Sequence, residues 1–105
     1  MDKKLKALTE TALANGASGH LLNILYSAKG YSGILAAVVQ AGSLSAVSRQ
    51  LGVSHQAVQQ WASQGYVPLA RIPEIESLYG VPRVELMNPK YTAALAAPTF
   101  SSDEA

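Results

Sequence analysis

The stretch SLSAVSRQLGVSHQAVQQWASQG, Ser43 to Gly65, restricts the chain more than any other part of it. Ser43 supplies a hydroxyl to cap a helix. Leu44, Val47, Ser48 and Leu51 then recur at helical spacing on one side. Gly52 interrupts the pattern where a residue of positive φ is wanted, so the first helix stops there. Val53 fills the angle that follows, and Ser54 caps a second helix. In that helix Ala57, Val58 and Trp61 share one face, and His55, Gln56, Gln59, Gln60 and Ser63 share the opposite one. The apolar face requires a core to pack on. The other face is long, polar and uncharged, and it is rich in amides. A glutamine presents a donor beside an acceptor, which is what hydrogen bonding to a base edge requires. Two short helices, a tight glycine turn and a polar second helix make a helix-turn-helix.

Composition narrows what surrounds this motif. At 105 residues and 49 % apolar, the chain suits one core-forming domain with extensions rather than a disordered polymer. It has no cysteine, so disulfides and thiolate metal sites are excluded, in keeping with a reducing cytoplasm. A DNA-bound protein there would be associated with the nucleoid. The formal net charge is +1, which by itself does not point to nucleic acid. The longest apolar run, Ile34 to Val39, falls far short of the roughly 20 residues that span a bilayer. Thr9, Glu10 and Thr11 interrupt what would be the apolar part of a signal peptide.

The rest of the chain also reads as helices. Asp2 caps an expected helix over Lys3 to Ala14, with Leu5, Leu8 and Ala12 as its stripe, Leu13 at the edge, and Asn15-Gly16 as its end. Ser18 starts a second helix to about Lys29, with Leu21, Leu22, Leu25 and Ala28 inward and Gly30 as its stop. Ser32 caps a third, Gly33 to Ala41, apolar nearly all round and therefore buried. The pair Val38-Val39 leaves a short strand as the alternative there, but the alanines and flanking breakers favour helix. After the motif, Tyr66-Val67-Pro68 is extended. Leu69 to Ile72 is a single turn, and Pro73 opens a helix to Tyr79 with Ile75, Leu78 and Tyr79 inward. Pro82 to Met87 forms another turn anchored by Val84 and Leu86, and Asn88-Pro89 closes the domain. From Thr92 onward the Ala-, Ser- and Thr-rich sequence reads as a flexible tail. The expected organisation is a helical extension over 1–31, a helix-turn-helix domain over 32–91 and a tail over 92–105. The two N-terminal helices carry apolar stripes that the small domain does not obviously need, which makes them the candidate dimerisation surface.

The region from Ile34 to Tyr91 resembles the Cro repressors of lambdoid-type phages and the Cro-like antitoxins of the YdaS type. The resemblance rests on LGVSHQAVQQW (Leu51 to Trp61), GYVP (Gly65 to Pro68) and RIPEIESLYGVPRVELMNP (Arg71 to Pro89). It implies an all-α, lambda-repressor-like bundle, to which the two N-terminal helices read from the residues add an extension. It also implies a homodimeric transcriptional repressor that binds an inverted-repeat operator in double-stranded DNA. Its recognition helix would run from Ser54 to Gln64, with His55, Gln56, Gln59 and Gln60 reading bases. Residues 1–32 depart from the family. At the family's usual alanine in the first motif helix this chain has Ser48, still small enough for helices to cross closely.

Each candidate DNA contact has an ordinary reading beside it. Elsewhere a glutamine-rich face is a solvated surface. Within this motif Gln56, Gln59, Gln60 and Ser63 are read as DNA-facing. Ser54 is first a cap, and its hydroxyl or the neighbouring N–H groups also suit a phosphate. His55 is a DNA-facing or surface histidine. As a metal ligand it lacks cysteine neighbours, and His20 is distant in sequence. Arg49 and Arg71 each have two readings, a phosphate contact or a local ion pair. Tyr66 has a buried ring or a phosphate-binding hydroxyl, or both. No nucleophile elbow, phosphate-binding loop or metal-ligand spacing is present, so neither an enzyme nor a cofactor is expected. Two other functions stay open. One is an antitoxin-type protein that also binds a protein partner through residues 1–31 or the tail. The other is a helical interaction module that has lost DNA binding.

Overall fold

Four helices of this chain begin where a serine stands ready to accept from the first turn. The hydroxyls of Ser18, Ser32, Ser43 and Ser54 accept from the N–H groups of Leu21, Leu35, Ala46 and Ala57 at 3.3, 3.4, 3.0 and 3.1 Å. Each satisfies a donor that the helix itself leaves open. The computed structural model describes residues 3–91. Its helices are α1 (Lys3–Ala14), α2 (Gly19–Ser27), α3 (Gly33–Ala41), α4 (Leu44–Leu51), α5 (His55–Gln64) and α6 (Ile72–Tyr79). Single 3-10 turns stand at Leu69–Arg71 and Arg83–Glu85, and no strand occurs among the described residues. The fold is all-α, and Val38-Val39 lies inside α3. The expected Asp2 cap and the tail over 92–105 lie outside the described residues.

The core is built on α3. Ile34, Ala37 and Val38 are fully buried, and Leu35 and Val39 nearly so. One short helix reaches this state only when it is surrounded, and α1, α4, α5, α6 and the Arg83–Glu85 turn all pack on it. The N-terminal stripes belong to the same core. Leu5, Ala12, Leu21 and Leu25 are buried in one cluster with Leu35, Val58, Trp61 and Ile75. The apolar faces that looked surplus in the sequence are therefore occupied within the chain. Thr9 also lies on the buried stripe of α1, and its hydroxyl donates to the Leu5 carbonyl at 2.9 Å. That bond is what lets a polar residue sit there.

Three local expectations are corrected. Helix α2 ends at Ser27 rather than near Lys29, and Ala28 is already extended (φ −69°, ψ 142°). The early exit frees the chain to bring Tyr31 to Glu85, whose carboxylate accepts the phenol proton at 2.7 Å. In α6 the inward positions are Ile72, Ile75 and Tyr79, and Leu78 falls to the rim at 48 % exposure, because 72, 75 and 79 define one side of so short a helix. In the last turn Leu86 is fully buried with Val81 beside it in the core, while Val84 points out at 59 %.

Tertiary polar contacts hold these pieces in register. The Tyr79 hydroxyl donates to Gln50 Oε1 and ties α6 to α4. Burial raises the Tyr79 phenol above its usual range, with Glu74 adding to the shift. Around Tyr31, burial first, then the hydrogen bond and the charge of Glu85, push the phenol up to about 12. Lys4 lies 5.2 Å from the Tyr31 ring centroid and 3.7 Å from Glu85, which links α1 to the last turn. No helix among the described residues is long and apolar enough to cross a membrane.

Gly33, the first residue of α3, is where the 83–85 turn crosses most closely. A Cβ at this position would stand 2.7 Å from the Glu85 carbonyl oxygen and 2.8 Å from Val81 Cγ1. The first of these is backbone, so a side chain is accommodated only if the turn moves. Gly33→Ala is expected to destabilise the fold by about 1–3 kcal/mol, the usual range for overpacking. Denaturant unfolding followed by circular dichroism measures this, and unchanged stability would show that the turn gives way freely.

Candidate nucleic-acid interface

The geometry of the interface is set by the turn between α4 and α5. Gly52 adopts φ 70°, and its N–H and that of Val53 both reach the Ser48 carbonyl, the latter at 3.0 Å. This closes α4 and redirects the chain within two residues. Val53 is half-buried in the angle, and Ser54 begins α5. The inward face of α5 is then fixed by Val58 at 0 %, with Trp61 and Ala62 each at 6 % and Ala57 half-buried. The opposite face follows from helical geometry.

His55, Gln56, Gln59, Gln60 and Ser63 are all exposed on that outer face. Among the described residues, none of the three glutamine amides is engaged by another side chain or by backbone. Gln64 differs. Its Nε2 donates to the Tyr66 carbonyl at 3.0 Å and ties the end of α5 to the extended link. The free amides therefore stand on a rigid helix with their hydrogen-bonding capacity intact, as a reading face requires. The Ser54 hydroxyl accepts from the Ala57 N–H, as a cap.

The basic candidates fall into two groups. Arg49 is exposed in the last turn of α4, close to α5 in sequence order. Arg71 is half-buried and lies 3.5 Å from Glu74 Oε1, so of its two readings the local ion pair is the one present. Arg83 is similarly paired with Glu76 at 3.1 Å. Tyr66 is half-buried and contributes its carbonyl to Gln64.

The largest departure from the sequence reading is the neighbour of α5. His20, at the start of α2, has its ring centroid 6.3 Å from that of His55 at the start of α5, with the planes 60° apart. Distance in sequence is thus not distance in space. These two histidines form no larger ligand set, since no group of three or more His, Cys, Asp or Glu among the described residues is placed to hold a metal ion. Farther along, a cleft of about 570 Å³ separates the two helices, with Asn23, Ile24 and Ser27 on one wall and Gln59, Ala62 and Ser63 on the other. Start faces start and end faces end, so α2 runs alongside α5 in the same direction. Nothing local announces this, because it follows from how α2 packs on α1 and α1 on α3.

Against known proteins, one family model, described as bacterial toxin YdaS, matches residues 34–89, from the start of α3 to Pro89. The matched stretch is just over half the chain and leaves α1 and α2 outside. No curated protein and no solved structure matches the chain.

Proposed function

The chain belongs to the family described as bacterial toxin YdaS, a phage-type helix-turn-helix family, and from that premise we propose that it is a sequence-specific DNA-binding regulator that represses transcription. The observation that carries the reading is the outer face of α5, where three exposed glutamines keep their amides free. Set in a major groove, Gln56 and Gln60 lie one helical turn apart and meet successive bases, with adenine as the preferred partner through N6 and N7. Gln59 and Ser63 lie toward α2 and meet the next base or a phosphate. The mechanism is occlusion. A homodimer places two α5 helices in successive grooves about 34 Å apart and blocks polymerase. The protein carries out no chemistry of its own and needs no cofactor. The word toxin in the family's description suits the same mechanism, because occlusion at a cell's own promoters would stop growth.

The alternative of an antitoxin with a protein partner draws no support from α1 and α2, whose stripes are buried internally. With a net charge of +1 and Arg71 and Arg83 held in ion pairs, phosphate contacts are few. Affinity should therefore depend on pairing of two copies, and the salt slope should be modest.

The test is fluorescence anisotropy with duplexes from the protein's own upstream region, titrated with salt. Gln60→Ala is expected to keep the wild-type melting curve and to lose operator affinity about 5- to 150-fold, the range for one bidentate base contact. A folded variant with unchanged operator affinity would overturn the assignment of α5 as the reading helix. Absence of duplex binding by the wild type at low salt would favour a helical interaction module.

A further inference from the structure

We infer that the cleft between α2 and α5 seats the sugar-phosphate strand bordering the major groove, so that α2 is a second DNA-contacting element outside the family-matched region; this rests on α5 being the reading helix. The argument is one of dimensions. A helix with its side chains is about 10–12 Å across, and the major groove of B-DNA is about 12 Å wide. When α5 fills the groove, the phosphates at the groove's edge lie directly along its flanks. On one flank lies α2, running in the same direction, with the 570 Å³ cleft between them. The strand on that side must pass through the cleft.

The walls suit it. Among the described residues, no aspartate or glutamate lines the cleft. Asn23 and Ser27 present donors from α2, Lys29 closes the end, and all three are exposed. Lys29 makes no ion pair among the described residues, unlike Lys4, Arg71 and Arg83. Opposite stand Gln59 and Ser63, which belong to the reading face and to the cleft wall at once. The α5 face and the cleft therefore form one continuous surface, with bases read on α5 and the backbone held between α5 and α2.

The test compares the full-length protein with Lys29→Gln, Asn23→Ala, Ser27→Glu and Gln60→Ala on an upstream duplex and on an unrelated duplex, across a salt series. The three cleft variants alter exposed residues and should melt as wild type. Lys29→Gln should weaken both duplexes alike and lower the salt slope by about one. Asn23→Ala should weaken both about two- to tenfold. Ser27→Glu, which puts a carboxylate against the strand, should weaken both by more. Gln60→Ala should weaken only the upstream duplex. If Gln60→Ala behaves so while the three cleft variants bind as wild type, the reading helix stands and the inference falls. If the cleft variants change the melting curve instead of DNA binding, the cleft serves the fold and the inference falls. If the wild type binds no duplex at low salt, the inference and the reading fall together.

Discussion

Trp61→Ala is expected to leave the protein largely unfolded. Trp61 is 6 % exposed and stands on the inward face of α5 with Val58 and Ala62, in the cluster that also holds Val38 and Val47. Removing an indole from such a site costs about 3–5 kcal/mol. The total stability of a domain is about 5–15 kcal/mol, and a chain of this size sits toward the low end. The cost thus consumes most of what holds the fold. DNA binding should disappear with the structure, because the helix that presents the glutamines is anchored by this ring. Thermal melting by circular dichroism is the measurement, since Trp61 is the only tryptophan and its fluorescence is lost with it. Trp61→Phe, which keeps most of the volume, should melt well above the alanine variant. A cooperative alanine variant melting within a few degrees of wild type would show that the core of α5 rests elsewhere.

The contrast between Trp61 and the glutamines shows which parts of this protein are written locally. The caps at Ser18, Ser32, Ser43 and Ser54 are each one residue acting on its near neighbours, so the starts of four helices follow from sequence alone. The Gly52 turn is equally local, and with it the direction in which α5 presents Gln56, Gln59 and Gln60. Rim positions are less legible. Leu78 and Val84 are apolar and helically spaced, but α6 and the last turn are too short for spacing to distinguish the centre of a face from its edge. Long-range contacts leave no local trace. Gly33 looks like a helix start beside a cap, and only the crossing of the 83–85 turn reveals that a methyl group does not fit. Asn23, Ser27 and Lys29 look like the solvated side of a second helix until α2 is seen lying along α5. The exposed glutamine face of α5 is therefore legible in the sequence, and the helix that lies beside it is not.

The placement of α1 and α2 changes what removing them should do. Deleting residues 1–31 is expected to unfold the remainder or drive it to associate non-specifically. Leu5, Leu21 and Leu25 are buried to within 2 %, and α1 packs directly on α3. Fully burying one such side chain contributes about 1.5–3 kcal/mol, so the loss of three approaches the whole stability of a small domain. The loss also has a second part, because α3 is apolar nearly all round and the deletion bares the side that α1 covers. Circular dichroism and solution mass of the deleted chain are the measurements. A monomer that melts cooperatively near the wild-type temperature would show that 32–91 is a self-sufficient domain and that α1 and α2 are an accessory. If instead the fold collapses, a changed solution mass in the deleted chain says nothing about where two native copies meet, since a bared α3 associates for its own reasons. The dimer surface is then sought in the full-length protein with single changes at exposed apolar positions. Leu13 on α1 and Leu78 on α6, half exposed at 50 % and 48 %, can become polar without opening the core. The position whose substitution lowers both solution mass and operator affinity while keeping the melting curve marks the face on which two copies pair.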